Sequence, residues 1–187
     1  MADFFLDLAM DGIGERNRAN KVRKIARMPA NPGRRRCWDW MIVSGSCHYA
    51  KNRSSFTEYR RISGTAQGAT VLGIGTVKLQ VRRSPTNSDT HTLTLENVLH
   101  IPSAICNGFS SGLNIVGTER WSLGLTQSYD ENERPIWYAL DFCGLRRIVL
   151  DGNPQGESEI QEQYRKGGAF SLSIYLSKEE EENLVFS

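Results

Sequence analysis

The chain has 187 residues, 39% of them hydrophobic and 24% charged, with 17 glycines and a net charge of +2. That is the composition of a globular protein of ordinary domain size, not of a disordered, collagenous or disulfide-dense chain. No apolar run approaches the roughly 18 residues a bilayer span needs, so no membrane partner is expected.

In chain order, the start MADFFLDLAMDGIGE sets Phe4, Phe5, Leu6 and Leu8 among Asp3, Asp7 and Asp11. It lacks a basic flank, so it predicts a short amphipathic helix and not a secretory signal. Between Arg16 and Arg36 come nine basic residues and no acid. Residues 1–36 therefore read as a basic extension ending in the linker MPANPGRRR. Arg23, Lys24, Arg34, Arg35 and Arg36 are its candidates for nucleic-acid binding by counterion release. Solvation, or pairing with the acidic C-terminal stretch, is the alternative for the same charges. Residues 151–187 carry eight acids against three bases.

From Cys37 the rhythm changes to short β-type runs between turn signals, which predicts an all-β fold. In GATVLGIGTVKLQVRR the residues Val71, Gly73, Gly75, Val77, Leu79 and Val81 alternate with Lys78, Gln80 and Arg82, as one half-buried strand requires. Leu93, Leu95 and Val98 resume the alternation after RRSPTNSDTH, so the two runs form a long hairpin with its tip at Arg82–Thr92. Residues 37–120 are expected to form the main β domain. Residues 121–187 are expected to add strands, the last of them SLSIYLS, before an acidic, helical or frayed KEEEEN. The widely spaced Cys37, Cys47, Cys106 and Cys143 read as reduced, buried thiols of an intracellular protein, cytoplasmic or nuclear.

Chemistry-bearing patterns are sparse. Ser44, Ser46 and Cys47 precede His48, but neighbours on an extended strand point to opposite faces and do not make a dyad. Cys47, His48, His100 and Cys106 lack zinc-ligand spacing, so no metal is expected, and nothing points to a cofactor. The GIGTV glycines fit a strand with close backbone neighbours better than a phosphate loop. Trp38, Trp40, Trp121 and Trp137 read as core aromatics.

Several segments in fixed order carry more weight together. Trp40 with MIVSGSCHYAKNRSSFTEYR, then VLGIGTVKL, then LTLENVLHIPSAICNGF, resembles the protease region of Ty1/copia-type retrotransposon polyproteins, filamentous-fungal copies especially. The resemblance covers about residues 38–115. It implies a retropepsin-like aspartic-protease barrel with a short N-terminal helix and extra C-terminal strands. It also implies a homodimer whose cleft takes an extended ligand, and a flap at the Arg82–Thr92 tip. In Val43-Ser44-Gly45, Val43 stands where that family carries its catalytic aspartate. The interval to His48 is one residue short, and alignment from the histidine side puts Ile42 there instead. Neither supplies an acid, and Asp39 lies four residues upstream. Because two coupled carboxylates activate the water in such enzymes, the resemblance implies a catalytically inactive protein. Ser46, His48, Tyr49, Gly73 and Gly75 are the candidates to line the cleft. The leading expectation is a retrotransposon-derived binding module for a peptide or small molecule. The alternatives are a non-proteolytic small-molecule enzyme of isomerase or cyclase type, and a decayed element fragment.

Overall fold

A computed structural model describes residues 36–113, 118–169 and 171–185, all within the compact unit Arg34–Ser187. The expected N-terminal helix, and Arg23, Lys24, Arg34 and Arg35, lie outside the described residues. The described part is all-β apart from short helices. Its strands are β1 Trp40–Val43, β2 Tyr49–Ala50, β3 Phe56–Ala66, β4 Ala69–Arg82, β5 Thr90–His100, β6 Asn107–Ser110, β7 Thr118–Ser122, β8 Leu125–Tyr129, β9 Pro135–Phe142 and β10 Leu145–Ile148. Helices α1, Glu159–Arg165, and α2, Lys178–Val185, follow.

The strands form one ten-stranded sheet in the order β3-β4-β5-β2-β6-β1-β10-β9-β8-β7. The sheet curls, because Arg82 N at the end of β4 donates to Val149 O at 2.9 Å and Asp151 N donates to Gln80 O at 2.8 Å, just beyond β10. Strands from the expected main domain and from residues 121–187 thus share a single sheet, joined where β1 pairs with β10.

The hairpin read from alternation is β4 and β5, in antiparallel register from Gly73↔His100 to Arg82↔Thr90. Its alternation breaks once. Asn97 adopts φ 52, a left-handed conformation that asparagine tolerates, and beyond it the inward positions move from Leu93 and Leu95 to Val98. At the other end of β4, Gln67 and Gly68 take φ 47 and 79, the pair of positive angles that a type I′ hairpin turn requires.

Central strand β1 serves both sides of the sheet. Trp40 and Ile42 pack with Val77, Leu95, Phe109 and Trp137, whereas Met41 and Val43 pack with Tyr49, Leu99, Cys106 and Ile160. The second group also takes in Leu184 of α2 and the half-buried Leu172, Ile174 and Leu176. SLSIYLS, expected as the last strand, forms no strand of the sheet. Its polar groups are bonded instead to the turn after β1.

Candidate functional site

Val43 ends β1, and its side chain is 5% exposed. Parallel pairing with β6 places Val43 opposite Ser110, and Ser110 braces the turn that follows. The Ser110 hydroxyl donates to Gly45 O, and Ser110 N donates to His48 Nδ1 at 3.1 Å. A backbone N–H only donates, so His48 is neutral with its proton on Nε2. Burial agrees, since it holds the His48 pKa down at about 4. The ring stacks on Phe109 with centroids 5.5 Å apart, which fixes the turn to the core.

Residues 171–177 lie across this turn. Ser46 N donates to Ile174 O at 2.8 Å, and Leu176 N donates to Ser46 Oγ at 2.7 Å. Ser46 therefore reads main-chain groups two residues apart, the spacing of one face of an extended chain. Ser44 N donates to Ser173 Oγ at 3.2 Å, and Ser44 Oγ lies 3.1 Å from both Ser173 Oγ and Tyr175 OH. Tyr49 OH donates to Leu172 O at 2.7 Å. Gly45 permits this approach, because a Cβ there would run into the Ile174 carbonyl and sit 2.7 Å from Ile174 N. The result is a trough floored by Val43–Ser46 and Tyr49 and filled by an extended segment of the same chain.

Beside Val43 a hollow of about 610 Å³ remains, lined by Ser44, Ser110, Leu145, Leu172 and Trp121 among others. Among the described residues no carboxylate, imidazole or thiol lines it. Asp39, the nearest acid along β1, is 4% exposed and bonded to Arg147 Nη1 at 2.9 Å, while its carbonyl accepts from Asn107. Its carboxylate serves a structural ion pair that joins the start of β1 to β10. Cys47 and His48 border a separate hollow of about 780 Å³ with Leu176 and Leu184. Burial pushes the Cys47 thiol up to about 12, with Glu180 and Glu181 adding to the rise, so Cys47 is not a thiolate nucleophile at neutral pH. The same cause raises Cys106 to about 12 and Cys37 to about 11. Among the described residues no group of three or more His, Cys, Asp or Glu side chains could hold a metal ion.

Of the residues singled out from sequence, Ser44, Gly45, Ser46 and Tyr49 meet at the trough, and His48 supports it from below. Gly73 and Gly75 lie elsewhere, under β3: a Cβ on the first would strike the Tyr59 ring, and on the second the Glu58 carbonyl. The Arg82–Thr92 tip also lies elsewhere. Arg83 Nη1 donates to Pro135 O at 2.9 Å and Gln127 Nε2 donates to Arg83 O at 3.2 Å, which ties the tip to β8 and β9. No residue of the tip lines the hollow at Val43. Arg36 sets its guanidinium 3.8 Å above the Trp38 ring. Trp40 and Trp137 are core residues as expected, but Trp121 is 59% exposed.

Sequence reasoning missed the seat of residues 171–177. Its signal was present in Ser177 and Glu180, spaced as a helix capping box. Glu180 N donates to Ser177 Oγ at 3.2 Å and Ser177 N donates to Glu180 Oε2 at 2.9 Å. The other carboxylate oxygen accepts from Gln67 N at 2.8 Å, so the cap also ties α2 to the β3–β4 turn. These backbone donors, Ser177 foremost, hold the Glu180 carboxyl below its usual range.

Residues 40–115 match the family model of the Pol polyprotein, beta-barrel domain. The match supports a retrotransposon polyprotein region spanning β1 to the residues just after β6, the part that builds the floor of the trough. Neither the curated proteins nor the solved structures compared with the chain match it. No helix among the described residues is long and apolar enough to cross a membrane.

Proposed function

We infer that this protein is a retrotransposon-derived, protease-like module that has lost peptide hydrolysis and retains its trough as a binding site for an extended chain. The observation that carries the reading is the pairing of an acid-free floor at Val43 with an extended segment bonded along it at Ser44, Ser46 and Tyr49. Hydrolysis needs a base within hydrogen-bonding reach of the attacking water, and the valine isopropyl group offers none. Binding needs main-chain partners and side-chain pockets, and those are present. A hydrocarbon also spares the floor the cost of holding two carboxylates close together.

The test is incubation of the full chain with a peptide library at mildly acid and neutral pH, read by mass spectrometry. The expected result is no cleavage at any site, together with retention of a subset of extended peptides. Pepstatin-sensitive cleavage would overturn the reading.

A further inference from the structure

We propose that the trough recognises extended peptides in which hydroxyl residues alternate with leucine or isoleucine, and that residues 171–177 are its built-in competitor, latched by α2. This rests on the peptide-binding reading above and goes beyond it by naming the ligand class and what controls access.

The contacts define the pattern. Main-chain groups are read at positions 172, 174 and 176 by Tyr49 OH, Ser46 N and Ser46 Oγ. Hydroxyls are read at 173 and 175 by Ser44. The side chains of Leu172, Ile174 and Leu176 meet the apolar cluster around Met41, Val43 and Tyr49. A free peptide with the same alternation would meet the same donors, acceptors and apolar seats in the same order.

The present occupant is incompletely covered. Leu172, Ile174 and Leu176 are only half-buried, and hollows of about 610, 240 and 780 Å³ border the segment. Covalent tethering, which raises its effective concentration without adding a contact, and the latch hold it there beside the hydrogen bonds to Ser44, Ser46 and Tyr49. Helix α2 has eight residues, four of them consecutive glutamates. A helix of that length is marginal alone. Its attachments to the β3–β4 hairpin include Glu180 accepting from Gln67 N, and Leu184, whose Cδ2 would lie 2.7 Å from a Cβ built at Gly64. Partial cover and a short latch make the segment exchangeable, unlike the sheet beneath it.

Anisotropy of a fluorescent peptide, SLSIYLSK, tests this on the full-length chain. Ile174→Asp changes the occupant and leaves the trough intact; if that variant fails to fold, Leu184→Ala loosens the latch instead. The released chain is expected to bind the peptide at least about tenfold more tightly than the unchanged chain, since the tethered competitor is gone. Adding Gly45→Ala to the released chain should abolish binding, because the new Cβ blocks any chain lying there. Equal binding by released and unchanged chains, or binding indifferent to Gly45→Ala, overturns the proposal. If a scrambled peptide binds the released chain as well as SLSIYLSK, the proposed pattern is wrong while a general peptide trough survives. If the released, folded chain binds no peptide, both readings fall.

Discussion

The two ends of β1 live in different worlds. At Trp40 the strand is sealed: the side chain is 0% exposed and packs in the cluster that contains Phe109 and Trp137, themselves in edge-to-face contact at 5.4 Å. At Val43, three residues on, the side chain is also buried, yet its cover is a half-exposed strap with hollows beside it. The sealed end is made from the sheet's own alternation. The strapped end is completed by a segment from far along the chain, through hydroxyl and main-chain hydrogen bonds. Trp40 and Val43 face opposite sides of the sheet, so one strand can be sealed core on one face and the floor of a site on the other, according to what closes each.

That contrast sets an order of effects. Trp40→Ala should cost about 3–5 kcal/mol, as large aromatic truncations in a closed core do, and urea unfolding should find the chain near or below marginal stability. His48 touches both ends, stacked on Phe109 and bordering the strap-side hollow. Its folded pKa of about 4 lies below the ordinary 6.5, so the folded state binds fewer protons. The contribution is fully present above pH 6.5 and is lost as pH falls toward 4, about 3 kcal/mol in all. His91 and His100 are shifted in the same direction by burial and add to the loss. His48→Asn should flatten most of that slope in urea midpoints measured across the window.

Smaller and more local effects belong to the strapped end. Leu184→Ala removes a fully buried side chain from the latch and should weaken it by about 2 kcal/mol. Hydrogen exchange should show α2 and residues 171–177 opening more often while β4 and β5 amides keep their protection; uniform loss would mean that the two ends are one cooperative unit. Ser46→Ala, which removes the acceptor for Leu176 N, should cost about 1 kcal/mol, again confined to the strap. At the far side of α1, Ser158→Ala should take about 1 kcal/mol from the helix by losing the bond from Gln161 N, with no effect on strap exchange.

The sealed end was legible in the sequence because it obeys a period. Val77, Leu79 and Val81 against Leu93 and Leu95 give the hairpin and its inward face directly, and only the left-handed Asn97 hides the change of phase before Val98. The strapped end was legible in part. MIVSGS announced a floor without an acid, but SLSIYLS alternates as a sheet strand does, and alternation says which face is apolar without saying what the backbone bonds to. Gly73 and Gly75 were legible as marks of a close backbone approach, and the approaching group is β3. Trp121 reads as core by residue type, yet β7 is an edge strand and leaves it exposed.

Residue-resolved hydrogen exchange at Ser46 and Leu176 tests the seat of the strap most directly, because these two amides exist as donors only while the extended segment lies in the trough. Both should be protected, should open together, and should do so well below the free energy that opens Asn107 in β6. Exchange of Leu176 at the rate of an unstructured amide would show that the trough is not occupied as described and would contradict the account.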